Sequence, residues 1–163
     1  MAHHPNRIFI IRHAERPADT TPPDPNLTDK GRARAAALVS YPFPDLAGIF
    51  AAATTLKSAR SVQTVTPLAA ARDNMKIHDK VKDQEFPLLV SKVLAEEYKG
   101  TDILICWHHE QIPHLAAALG ANIPPKFRYP DVYDRIWVLS YEKDGSVTRE
   151  DLPQRLLPGD SPT

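Results

Sequence analysis

Four short apolar runs, each bounded by polar or helix-forming segments, constrain this chain more than any other feature. They are Arg7 to Arg12 (RIFIIR), Gly48 to Ala53 (GIFAAA), Asp102 to Trp107 (DILICW) and Arg135 to Tyr141 (RIWVLSY). The first and third are apolar throughout their interiors and show no polar alternation, which is the pattern of strands covered on both faces. Helical stretches lie between the runs. Thr28 is placed to cap a helix from Asp29 to about Ser40, stopped by Pro42 and Pro44. Ser58 opens a second helix to about Arg72, with Val62, Val65, Leu68 and Ala69 on one face. Pro87 starts a third, reaching about Tyr98 and closed by Gly100, and Pro113 starts a fourth, ended by Gly120. Met75 to His78 forms a short further strand candidate. The last long run pairs with Ser146 to Arg149 through Asp144-Gly145 as a C-terminal hairpin. Strands alternating with helices predict an α/β fold: a three-layer α/β/α sandwich whose sheet is mostly parallel, with helices on both faces.

Size and charge narrow the function. The 163 residues suit one domain over residues 1–163, with residues 153–163 expected to be a loose C-terminal tail. A formal net charge of zero argues against a nucleic-acid partner, so any anion site must be local. No apolar run reaches membrane-spanning length. The start, MAHHPNR, has no apolar signal core, and a cytoplasmic location is expected. Cys106 is the only cysteine, which excludes an internal disulfide and a multi-cysteine metal cage.

In open α/β sheets ligands bind beyond the carboxyl ends of the strands. That rule selects Arg12-His13, the turn from Thr54 to Arg60, and His108-His109-Glu110. Arg60 stands in the first turn of its helix, where a cation opposes the helix dipole. A bound anion would remove that penalty and recruit the exposed N–H groups. Arg12 and Arg60 together suit a doubly charged phosphate. The stretch Trp107 to His114 (WHHEQIPH) also invites a zinc reading, but its spacing is wrong. His109 and His114 are five residues apart, whereas a helix returns to one face after about four, and Pro113 puts a helix start inside the motif. A metal site and a cofactor are therefore not expected.

Taken together, these segments resemble the histidine phosphatase superfamily, which includes phosphoglycerate mutases and acid phosphatases. Arg12-His13-Ala14-Glu15 resembles its Arg-His-Gly-Glu signature. Leu27-Thr28-Asp29-Lys30-Gly31 is similar to its Leu-Thr-x-x-Gly helix start, and Arg60-Ser61-Val62-Gln63-Thr64 to its Arg-Ala-x-Gln-Thr segment. Ile103 to His108 resembles the strand that ends in the second catalytic histidine. The four segments occur in the family's order and span most of the chain. The resemblance implies a phosphoglycerate mutase-like fold and a metal-independent phosphatase, with His13 as nucleophile through a phosphohistidine. Arg12, Arg60 and His108 would complete the phosphate pocket, with His109 as a further contact. Departures from the pattern are Ala14, Trp107 and His109 in place of glycines. The last two predict a bulkier pocket floor.

The general acid is less defined. Glu110 follows His108 at a spacing seen in one branch of the family, Glu85 lies nearer the acid's region in another, and Glu15 belongs to the first motif; they are ranked in that order. The expected partner is a phosphorylated small molecule or a phosphoprotein. Arg16, Lys126, Arg128 and Tyr133 are candidate specificity contacts, and the loop from Pro17 to Pro25 is a candidate wall. Other readings are a phosphate-binding protein without turnover and a phosphomutase, the latter disfavoured by short loops.

Overall fold

The computed structural model describes residues 3–163. Its centre is a six-stranded sheet in the order β3-β2-β4-β1-β5-β6. The strands are β1 (Arg7–Arg12), β2 (Gly48–Ala51), β3 (Ile77–His78), β4 (Asp102–Trp107), β5 (Arg135–Tyr141) and β6 (Val147–Pro153). The first four run parallel, and β5 and β6 are antiparallel, β5 pairing with β1 and β6 with β5. The helices are α1 (Asp29–Ala37), α2 (Arg60–Ala71), α3 (Phe86–Val93) and α4 (Ile112–Ala118). This is the expected α/β architecture with helices on both faces of a mixed sheet.

Why the parallel strands read as unbroken apolar runs is visible in the packing. Alternate residues of β1 and β4 point to opposite layers, and both layers are dry. Ile8, Ile10, Ile103, Ile105 and Trp107 pack with Leu89 and Val93 of α3 and Leu115 and Ala116 of α4. Phe9, Ile11, Leu104 and Cys106 pack with Val65, Leu68 and Ala69 of α2 and with Leu38 after α1. A strand covered on both faces has no polar face to show in its sequence. The Trp107 side chain therefore belongs to the α3/α4 core, fully buried, rather than to a bulkier pocket floor.

Local signals place the helices. Thr28 caps α1, its hydroxyl accepting from the Gly31 N–H at 3.0 Å. Gly31 is required by close approach: a Cβ there would stand 2.6 Å from the Glu15 carbonyl oxygen. The first turn of α1 thus sits directly on the loop after β1. Gly31→Ala should push that loop outward, cost about 1–3 kcal/mol by overpacking, and lower kcat/KM; a denaturant midpoint and a rate on one preparation check both.

The C-terminal segment differs from expectation. Residues 153–163 are not a loose tail: Gln154 is buried, and Asp160 forms an ion pair with the buried Arg34 of α1. The sequence shows only proline, glycine and polar residues there. What fixes the segment is a set of side-chain and backbone bonds to residues distant in the chain. β6 also runs longer than the expected Ser146 to Arg149, as an exposed edge whose polar residues conceal its pairing with β5.

Candidate active site

The carboxyl ends of β1 and β4 bring two histidines together. His13 follows β1 and His108 follows β4; their ring centroids lie 5.2 Å apart, edge to face. The His13 N–H donates to the Trp107 carbonyl at 3.1 Å, which extends the β1–β4 ladder into the site. The His13 ring is 2% exposed in residue terms and its Nδ1 lies 2.7 Å from the Ala14 carbonyl oxygen. A carbonyl only accepts, so Nδ1 carries the hydrogen and Nε2 keeps a free lone pair. Burial pushes the His13 pKa down to about 2, aided by His108, Arg12 and Arg60. Burial likewise holds His108 down to about 4, helped by Arg60. Both rings are neutral at ordinary pH.

Two buried arginines flank the pair. Arg12 is 2% exposed; its Nη1 donates to Asp131 at 2.8 Å and to the Val132 carbonyl at 3.3 Å, and its guanidinium lies 4.0 Å from the Tyr133 ring centre. Arg60 begins α2 as expected from its spacing, and its Nη1 donates to the Asp24 carbonyl at 2.9 Å. Among the described residues the Nε atoms of both arginines are buried without a hydrogen-bond partner. Buried donors are almost always paired, and two unpaired guanidinium N–H groups near two neutral imidazoles are chemically suited to holding an anion.

The remaining motif residues hold the loop through hydrogen bonds to neighbouring elements. The Ala14 N–H donates to Thr64 Oγ1 at 2.8 Å, and that hydroxyl donates to the Arg60 carbonyl at 2.7 Å. The Glu15 carbonyl accepts from the Thr28 N–H at 3.0 Å. Gln63 Oε1 accepts from the Leu27 N–H at 3.0 Å. Threonine and glutamine in the Arg60 to Thr64 segment are thus struts between β1, α1 and α2.

The acid candidates separate. Glu15 is not free to act as an acid: its carboxylate takes two or more N–H bonds from Arg34, the shortest 2.9 Å, on the α1 side of the loop. Glu85 is exposed and lines neither cavity at the site. Glu110 is exposed beside His109, Asp131 and Tyr133, in a cavity of about 570 Å³ on the Arg12 side. The residue sequence reasoning missed is Asp83. It lines a second cavity of about 470 Å³ together with Arg16, Thr20, Lys57, Arg60 and His108. Its Oδ1 is buried without a partner among the described residues. Burial, with the charge of Glu110, pushes its carboxyl up to about 6. Trp107 Nε1 donates to the Asp83 carbonyl at 3.1 Å and so anchors this segment. β3 lies within the expected Met75 to His78 strand, but Asp83 stands several residues past its end, so the strand-end rule does not single it out.

Other expected contacts sort by position. The loop from Pro17 walls the 470 Å³ cavity through Pro17, Ala18, Asp19 and Pro23. Arg16 borders both cavities and Tyr133 the Arg12-side one, while Lys126 and Arg128 line neither. His114 is exposed on α4, stacked on Phe86, away from the pair. Among the described residues no group of three or more His, Cys, Asp or Glu side chains is arranged to hold a metal ion. No helix of the described residues is long and apolar enough to cross a membrane.

Sheet order and helix layers are those of a phosphoglycerate mutase-like α/β fold. No family model and no curated protein sequence matches the chain, but solved structures do. The protein histidine phosphatase SixA, complexed with tungstate, superposes with a TM-score of 0.66 at 15% identity, covering 91% of this chain and 97% of its own. The alpha-ribazole phosphatase of Shigella flexneri gives 0.66 at 14% identity over 95% of this chain and 100% of its own. The phosphoglycerate mutase of Plasmodium falciparum gives 0.62 at 15% identity over 96% of each chain. At such identities the likeness is one of fold.

Proposed function

We propose that the chain is a phosphatase that hydrolyses a phosphate monoester or phosphoramidate through a phosphohistidine on His13. The observation that carries this reading is the state of His13: buried, neutral and hydrogen-bonded through Nδ1, its ring packed edge to face on His108 and within the field of Arg12 and Arg60, whose Nε atoms are unpaired. A nucleophile needs that lone pair, and the developing charge on the phosphoryl oxygens needs those donors.

In the first step the His13 Nε2 lone pair forms a bond to phosphorus and the bond from phosphorus to the leaving atom breaks. Asp83, protonated, gives its proton to the leaving oxygen or nitrogen. In the second step water attacks the phosphohistidine, the Asp83 carboxylate takes the water's proton, and the N–P bond breaks to release phosphate. His13 returns neutral and Asp83 protonated. Arg12, Arg60 and His108 bind the phosphoryl oxygens throughout. His109 borders the Arg12-side cavity and serves as an outer contact. The leaving group occupies the cavity that Asp83 lines, whose volume lies in the range of small-molecule sites. A phosphorylated small molecule is the substrate class this supports, ahead of a phosphoprotein. No step calls for a metal or a cofactor.

The test is hydrolysis of an aryl phosphate by purified protein in excess chelator, with alkaline quenching to trap a phosphoryl group on His13 for mass spectrometry. Turnover that persists in chelator, with label on His13, is expected. Phosphate binding without turnover over a panel of esters and phosphoramidates would make the chain a binding protein. Activity lost to chelator would overturn the metal-independent mechanism.

A further inference from the structure

The C-terminal segment makes contacts that the proposed chemistry does not use. Arg34 on α1 is 3% exposed, and each of its five N–H groups meets an acceptor. Nε donates to Glu15 at 2.9 Å, and Nη2 donates to Glu15 at 3.0 Å and to Asp160 at 2.8 Å. Nη1 donates to Gln154 Oε1 and to Asp160 Oδ2, both at 2.9 Å. Asp160 is fixed in turn: its Oδ2 accepts the Leu156 and Leu157 N–H groups at 2.9 and 3.1 Å. Paired with Arg34, its carboxyl is held well below the usual carboxylate range. The guanidinium therefore joins the tail to Glu15, two residues after His13.

The same segment reaches the other side of the pocket. The Gln154 N–H donates to the Asp134 carbonyl and the Ser161 N–H to Asp134 Oδ2, both at 2.8 Å. Gln154 Nε2 donates to the Arg135 carbonyl at 3.1 Å. Asp134 follows Tyr133, whose ring faces Arg12 and stands 6.1 Å from the His13 ring. Residues 154–163 thus span from the loop carrying His13 to the loop carrying Tyr133.

We infer that this segment is a strap that sets the His13 loop, with Arg34 and Asp160 as positioning residues acting through Glu15. Ionic contacts among buried groups are poor sources of stability, since desolvation offsets most of their attraction. They are directional, however, and here they fix a backbone next to the reacting nitrogen, where a shift of about 1 Å can cost on the order of 100-fold in rate. Asp160→Asn keeps the shape and removes the charge that holds Arg34; the contacts to Asp134 remain. The phosphate donors Arg12 and Arg60 have no bond to the strap, so binding is spared.

The inference rests on the phosphatase reading for its activity readout only. Asp160→Asn and the milder Gln154→Ala are compared with the wild type and with Val93→Ala, a buried control in the α3 layer. The expected result for Asp160→Asn is a fall in kcat of about 10- to 100-fold with KM changed little, a smaller fall for Gln154→Ala, and shifted His13 and His108 ring resonances in the folded protein. Val93→Ala should lower the melting temperature without moving kcat or those resonances. A melting-temperature loss in the Asp160 and Gln154 variants with unchanged kcat and unchanged ring resonances would overturn the strap. A wild type inert toward the ester panel would sink the phosphatase reading instead, and the ring resonances would then decide the strap alone.

Discussion

His13→Ala is expected to abolish turnover, by on the order of 1,000-fold or more in kcat, while leaving inorganic phosphate bound. The separation follows from how the site is built. In the proposed scheme the nucleophile is one buried ring, and Arg12, Arg60 and His108, which lie around it, hold the anion. Removing the ring takes away the bond to phosphorus but not the N–H groups that bind its oxygens. Calorimetric phosphate affinity within a few-fold of wild type, together with no trapped phosphoryl group, is the pattern sought. If His13→Ala still hydrolyses an aryl phosphate at the wild-type rate, the covalent mechanism fails.

The second large effect belongs to Asp83. With an alkyl phosphate the leaving alkoxide is a poor one and needs its proton, so Asp83→Asn should lower kcat by about 100- to 10,000-fold. With a nitrophenyl phosphate, whose leaving oxygen needs little help, the phosphorylation step, read as a pre-steady-state burst, should be nearly unaffected, and the loss should fall on hydrolysis of the phosphohistidine, where Asp83 takes the water's proton. The protonated acid is required, and burial holds its carboxyl up near 6. Wild-type kcat on alkyl esters should therefore fall as pH rises through about 6, and that limb should vanish in the variant. Glu110 is not the acid in this scheme but contributes to that raised value, so Glu110→Gln should move the limb to lower pH. The stability sign runs the same way. The folded carboxyl binds its proton more tightly than the unfolded one, whose value is near 3.8, so this group's contribution weakens as pH rises from about 4 to 6. An alkyl-ester rate unchanged in Asp83→Asn would return the role of acid to Glu110.

Much of this was written in the chain. β1 and β4 are legible because burial on both faces leaves nothing but apolar residues, and the meeting of His13 and His108 at their carboxyl ends follows from topology. Thr28, Gly31, Gln63 and Thr64 stand out in sequence, yet their work is to brace the loop after β1, which only the hydrogen bonds reveal. Two features are not legible in the sequence. The burial of Asp83 and the fixing of residues 153–163 each depend on partners far away in sequence. Asp83 is poised by the desolvating wall around it, and the tail is fixed by Arg34, an arginine that in sequence looks like any other on an alanine-rich helix. Periodicity reports which face of an element is covered. It carries no record of which polar side chain will be taken out of water.

The position of β1 has a kinetic meaning. It lies inside the sheet, hydrogen-bonded to β4 on one edge and to β5 on the other, with dry layers above and below. Amides in such a strand exchange with solvent only when the whole domain opens, unlike those of fraying edges and loops. His13 is the next residue along, and its own N–H continues the ladder to Trp107. His13, the proposed nucleophile, is thereby tied to the slowest-opening part of the molecule, while the residues that line the cavities beside it, from Arg16 to Asp24 and from Asp131 to Tyr133, lie outside the sheet and are held through the side chains of Arg60 and Arg12.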